Sequence, residues 1–337
     1  MKVTLLGPQR RPTVDAVAAS RYPEGPIATI TAGWQERESD DAELGRLLGS
    51  RDVNLGLYRR WLEVTERDPQ FAAGQRRLAE VLDELQASYL LRLDHALQAV
   101  YAVQRRGGSG RLRADVLAEA IGTVRDLDAA HLRRAGAIRG EFYAELPPHE
   151  RPLIAEHRGE VAAVLGDAAA VVVAGGHVGV LAGVLHLFNV AASLRSPVIA
   201  WSAGAMALAE RIVLFGDRSA HGPGHPEIHG SGLSVLPGVV PLPHARARLL
   251  LDDAPRMSVF ARRFAPARCV LLENGTRVDT DSDGGWPAGT RSPRPSRSRS
   301  MTAPWPGSWP PTTSRSRLPL RWPPRRCRRC LAWRRCC

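Results

Sequence analysis

The sequence predicts an α/β fold: a mostly parallel sheet sandwiched by helices, interrupted by a long helical hairpin and followed by a disordered tail. Three observations carry this. Short all-apolar runs that end in glycine or a polar turn alternate with helical stretches at the start of the chain and again after residue 150. Between them, residues 55–145 hold one proline, Pro69, and repeat apolar residues at three- and four-residue steps. From about Ser282 periodicity ends. The expected divisions are 1–54 and 149–281 for the two parts of the α/β domain, 55–148 for the helical insertion, and 282–337 for the tail.

Residues 3–6 and 27–32 are the first two strand-like runs. Leu78, Leu82, Leu85, Tyr89 and Leu93 fall on one helix face. After Gly107-Gly108-Ser109-Gly110 a second helical pattern runs through Leu117, Ile121, Val124, Leu132 and Ile138. Two such helices joined by a glycine turn make an antiparallel hairpin, either a packing or homodimerisation arm or a lid over a site. Residues 169–174 then form a buried strand entering Gly175-Gly176, followed by a helix over 180–190, a strand over 197–201 and a helix over 203–210. Further strands are expected over 212–215, 235–242 and 269–273, with a helix over 256–264. Ligand sites in such sheets lie beyond the carboxyl ends of the strands.

The formal net charge of +12 suggests a polyanion partner until its distribution is read. Residues 291–337 carry 13 arginines and no acidic residue, so the rest is close to neutral, 33 basic against 34 acidic groups. Nucleic-acid binding by the body is disfavoured accordingly. The tail also holds four of the five cysteines, which leaves Cys269 alone in the body and excludes a disulfide framework there. Lys2 is the only lysine against 45 arginines, a mark of GC-rich coding; read out of frame, such DNA yields the tail's composition, so the tail reads as a frameshifted extension. The opening MKVTLL is too short for a signal-peptide core, and no window reaches about 18 uninterrupted apolar residues. A cytoplasmic protein with no membrane partner is expected.

The strongest chemical signal is Pro197-Val198-Ile199-Ala200-Trp201-Ser202-Ala203-Gly204-Ala205. A strand runs into a serine with Ala200 and Gly204 two positions either side, and a helix follows, which is the logic of a nucleophile elbow. The backbone N–H of Ala203 would face a developing oxyanion at the helix start. The plainer reading is a serine N-cap. A nucleophilic serine needs a base and an orienting acid. Asp217 closes the strand at 212–215 and His244 the strand at 235–242, which would set both at the sheet edge with Ser202. The order Ser–Asp–His occurs in α/β-hydrolases, but there the histidine follows the serine by about 100 residues, and here by 42. Gly175 and Gly176 let backbone N–H groups approach a ligand, as an oxyanion hole requires. That turn lacks both the GxGxxG spacing and a P-loop lysine, so nucleotide binding has weak support. No cofactor is expected.

Together, Gly175-Gly176, the Ser202-Ala203-Gly204-Ala205 elbow, Asp217 and Leu236-Pro237-Gly238 with Pro243-His244 resemble the serine-peptidase branch of the class I glutamine amidotransferase-like superfamily, which has flavodoxin-like layering and includes aspartyl dipeptidases and cyanophycinases. The resemblance covers roughly residues 1–50 and 150–281. It implies Ser202 as nucleophile, His244 as base, Asp217 as acid with Glu227 the alternative, and an oxyanion hole from Gly176 and Ala203. Serine in place of the amidotransferase cysteine implies hydrolysis of a small peptide or amide. The chain departs from the family at His177, where asparagine is usual, at Ala245, where an aromatic residue is common, and in the hairpin, which small dipeptidases lack. The loop with Trp34 and Gln35, together with Gly175, His177 and Arg246, would contact substrate. The competing reading keeps the fold in a non-catalytic binding or regulatory protein. His221, His225 and His229 sit in HGPGHPEIH, whose prolines and glycines forbid a regular helix and favour a mobile loop over a metal site. Cys327 and Cys330 with Cys336-Cys337 form a weak zinc pattern.

Overall fold

The computed structural model describes residues 1–9, 14–22, 24–106, 110–217 and 224–280. The expectations for His221 and for the tail from 282, with its cysteines and frameshift reading, lie outside the described residues. Strands β1 (Val3–Leu6), β2 (Ile27–Ile30), β3 (Asp52–Asn54), β4 (Ala170–Val173) and β5 (Val198–Trp201) form the main sheet with a later strand, β10 (Arg277–Asp279). The order is β10-β1-β5-β4-β2-β3; only β10 runs antiparallel to its neighbour. All four residues of β1, β2, β4 and β5 are buried, as a parallel sheet covered on both faces requires.

Strand periodicity divides these residues between two cores. Val3, Leu5, Ile30, Val171, Val173, Val198 and Ala200 pack on one face, with Leu6, Ile27, Val172, Ile199 and Trp201 on the other. The second face is covered by α1 (Val14–Arg21) and α2 (Ala42–Leu47). The first is covered by α3 (Leu57–Arg67), α6 (Pro152–Asp167), α7 (Val178–Leu187) and α9 (Ala203–Leu208). The apolar run expected as one helix over 180–190 divides, because Asn189 adopts φ 53° and separates α7 from the short α8 (Val190–Ser193).

The insertion contains α4 (Pro69–Arg105) and α5 (Gly110–Glu145), two long helices packed side by side. Asp68 caps α4 by accepting the Phe71 N–H at 3.0 Å, and Pro69 takes the first helical position, where no N–H is needed. The apolar stripes of both helices are taken up by the chain itself. Tyr89, Leu93, Leu97, Leu117, Ile121 and Val124 share a core with β6 (Arg211–Leu214), β7 (Glu227–Ser231), β8 (Val239–Pro243), β9 (Arg268–Leu272), α10 (Ala245–Arg248) and α11 (Ala254–Phe264). No helix among the described residues is long and apolar enough to cross a membrane.

Three expectations are corrected here. First, the strands before Asp217 and His244 do not belong to the main sheet: β6 pairs antiparallel with β7, and β8 pairs parallel with β9. Second, the strand expected over 235–242 starts at Val239, because Pro237 and Gly238 (φ 65°) form a turn. Third, part of the His-rich segment expected as a loop is the strand β7, with Ile228 and Gly230 buried and His229 exposed in strict alternation.

Candidate active site

Register brings the candidate residues into rows. Leu6 pairs with Trp201 and Val173 with Ala200, so the positions just beyond β1, β5 and β4 set Gly7, Ser202 and Gly175 side by side at one sheet edge. Ser202 has φ 50° and ψ −123°, a conformation that strains any side chain by about 1–3 kcal/mol, and its side chain makes no cap bond to α9. The N-cap reading therefore does not account for this serine. It is half-buried at the mouth of the edge.

Glycines let three loops interlock around it. A Cβ on Gly175 would lie 2.8 Å from Ser202 Cβ and 3.5 Å from its Oγ. One on Gly33 would lie 2.6 Å from the Gly175 carbonyl oxygen, one on Gly176 (φ 115°) would overlap the Gly33 carbonyl, and one on Gly204 would overlap the Val173 carbonyl. No other residue type fits these approaches. The His177 N–H donates to the Gly33 carbonyl at 2.7 Å, and its Nδ1 accepts the Val180 N–H at 3.1 Å, so His177 caps α7 beside the oxyanion candidates. Gln35, two residues past Gly33, has φ 58° and ψ −124°, nearly the conformation of Ser202. Trp34 packs its ring against the core that contains Trp201, which leaves it less available to substrate than expected. The Glu38 carboxylate accepts the N–H groups of Tyr58 and Arg59, at 2.9 and 2.8 Å, and anchors this loop to the start of α3; burial raises its pKa.

His244 adopts φ 56° at the turn between β8 and α10. Its N–H donates to the Leu272 carbonyl at 3.1 Å, and Pro243 pairs with Leu272, which makes Glu273 the next register neighbour of His244. Glu273 Oε1 accepts the Arg246 N–H at 2.7 Å, at the His244 end of α10. The backbone of Glu273 lies against Gly7, where a Cβ would overlap its carbonyl oxygen, and Gly7 N–H donates to the Thr276 carbonyl at 2.8 Å. Gly7 is beside Ser202 in the main sheet, so this contact brings the His244 turn to the serine's edge.

Asp217 is placed elsewhere. Its carboxylate is buried and forked by Arg256, with Nε at 3.0 Å and Nη2 at 2.5 Å, and it also accepts the Leu250 N–H at 3.0 Å. It thus holds the far end of α10, where its own N–H donates to the Arg248 carbonyl at 2.7 Å. Glu227, the alternative acid, lies on β7 and is hydrogen-bonded by Gln86; burial raises its pKa. Arg246 is exposed. Glu273 was missed in the sequence because its value rests on the pairing of β8 with β9; a glutamate closing a strand whose neighbour closes in histidine is the signal. Among the described residues no group of three or more histidine, cysteine, aspartate or glutamate side chains could hold a metal ion. His225 instead stacks on Tyr101 and meets Asp94 at 3.5 Å, while His229 faces Gly179.

No family model matches the chain. No curated protein is similar to it in sequence. Among solved structures it is similar to a peptidase from an acI-B1 Actinobacterium, at 13% identity and a TM-score of 0.40, over 83% of this chain and 82% of that one.

Proposed function

We propose that the protein is a serine-type hydrolase that cleaves a small peptide or amide through an acyl-enzyme, built on a class I glutamine amidotransferase-like sheet. The observation that carries the reading is Ser202 itself: a strained, half-buried serine at a strand end, unused as a cap and walled by glycines. Strain of this kind is kept where it aims a side chain. In the proposed reaction Ser202 Oγ attacks the substrate carbonyl while His244 accepts its proton. The oxyanion forms beside the N–H groups of Gly176 and Ala203. His244 then protonates the leaving amine, and water releases the acid by the reverse steps. Glu273 replaces Asp217 as the group that orients His244, because it is the register neighbour of that histidine and Asp217 is committed to Arg256.

A fluorophosphonate that acylates active serines tests this. The wild-type protein is expected to label and to turn over members of a dipeptide panel, and Ser202→Ala to lose labelling and about 10⁴-fold or more of kcat. Glu273→Gln is expected to slow labelling far more than Asp217→Asn slows it in the molecules that remain folded. Absence of both labelling and turnover in the wild type would favour a non-catalytic binding protein.

A further inference from the structure

A cavity of about 580 Å³ lies between α5, α6, α7, β7 and the Pro148–Glu150 turn, which adds Pro148 and His149 to a lining of Arg139, Tyr143, Arg158, His186 and Ser231 and two glycines of α5, Gly136 and Gly140. No aspartate or glutamate lines it, and among the described residues neither arginine forms an ion pair. Arg158 spends its Nε on the Leu187 carbonyl at 2.8 Å, which leaves the rest of its guanidinium fork uncommitted. Both arginines are half-buried, and desolvation pulls the pKa of each below its ordinary value. Among the described residues no carboxylate acts on Arg139: Tyr143 is the group that favours its charge, and that charge in turn lowers the pKa of His131, His186 and His229. A half-desolvated cation without a counter-charge is costly, and a bound anion is what removes the cost.

The helix that forms the wall has been kept open. Gly136 and Gly140 sit in the interior of α5, where each costs about 1 kcal/mol relative to alanine. A Cβ at either would meet nothing within 4 Å, so close packing does not require them. What they leave is space beside Arg139 and Tyr143.

We propose that this cavity is a binding site for a small organic anion, a molecule bearing a carboxylate or phosphate held by the guanidinium groups of Arg139 and Arg158 with the hydroxyls of Tyr143 and Ser231. Arginine forks match both oxyanions, and the volume suits a metabolite-sized ligand. The site is separate from the catalytic edge. His177 and Gly179 mark the start of α7, and His186 is seven residues further along, about 10 Å by helical rise. It therefore stands or falls independently of the role assigned to Ser202.

Calorimetric titration of the full chain with inorganic phosphate, and separately with succinate, at ionic strength held constant with sodium chloride, tests the site. Saturable binding of at least one is expected, and the tighter of the two identifies the ligand's anionic group. Arg139→Gln combined with Arg158→Gln should weaken it at least tenfold. Gly140→Glu supplies a second variant that folds readily, since it replaces a helix glycine where there is room and sets a carboxylate beside Arg139; it too should weaken binding at least tenfold. Ser202→Ala should bind as the wild type does. Failure of both anions to saturate the wild type, or wild-type affinity in Gly140→Glu, would overturn the proposal.

Discussion

Around Ser202 the chain touches itself backbone to backbone: Gly7 against Glu273, Gly33 against Gly175, Gly176 against Gly33, Gly204 against Val173. Beneath the hairpin the same chain relies on charge. Arg263 is buried in α11, its Nε and Nη2 each 2.7 Å from an oxygen of Asp128 on α5, with Nη2 3.0 Å from Tyr89 Oη on α4 and Nη1 2.6 Å from the Pro226 carbonyl. Arg256 holds Asp217 in the same half. The difference follows from what each region must do. The edge that carries the serine needs atoms at fixed short distances, and only glycine permits them. The hairpin needs to be fastened at one register along two long, repetitive apolar stripes, which a buried polar cluster can specify and methyl groups cannot.

The comparison can be broken most severely at Arg263. Replacing it with methionine leaves Asp128 charged and buried, and should remove about 3–5 kcal/mol of stability in urea denaturation. Adding Asp128→Leu should return much of that; if the double variant is as unstable as the single one, the cluster holds the hairpin in some other way. Gly204→Ala probes the other region. Its methyl group would overlap the Val173 carbonyl and lie 2.7 Å from that of Ala174, at a cost of about 1–3 kcal/mol. Because the displaced atoms carry the elbow, acylation of Ser202 should fall further than stability does, and unaltered labelling would show that the glycines do not set the geometry.

The smallest effect concerns His131, which stacks on Tyr89 at 4.1 Å with neither ring nitrogen hydrogen-bonded. Burial lowers its pKa, the Arg139 charge acting in the same direction and Asp128 against it. The folded state therefore favours the neutral ring, and the unfolded chain takes up the proton first as the pH falls below about 6.5. Stability held above that value drains away below it. His131→Phe should make the loss of stability between pH 7.5 and 5.5 shallower, without abolishing it, since burial also lowers the pKa of the half-buried His225. An unchanged slope would remove His131 from the acid response.

The two regions also differ in how far they could be read beforehand. The run Ala170–Val173 is apolar throughout and β-branched at its three valines, so its burial on both faces is visible in the residues, as is the small-residue elbow around Ser202. The stripes of α4 and α5 are likewise periodic enough to locate the hairpin. Sheet membership is another matter. The strand β6 has the composition of a main-sheet strand, and nothing local says that it pairs with β7 instead. The strand β7 itself hides among histidine, proline and glycine, with Ile228 its one large apolar residue. Asp217 occupies a plausible position for a catalytic acid in the sequence, and its commitment to Arg256, 39 residues on, exists only in three dimensions. Glu273 is the converse: unremarkable as a residue after a strand, and informative once β9 is known to run beside β8.

The antiparallel strand β10 adds a constraint on time. The Val3 N–H donates to Thr280 Oγ1 at 2.8 Å, the Thr280 N–H to the Val3 carbonyl at 2.9 Å, and β1 lies between β10 and β5. The strand β1 thus waits for partners almost 200 and almost 280 residues behind it. Contacts of such long sequence separation close slowly. Since Gly7, Ser202 and Glu273 meet only where these strands meet, the candidate edge is complete only after all three strands have been made and paired.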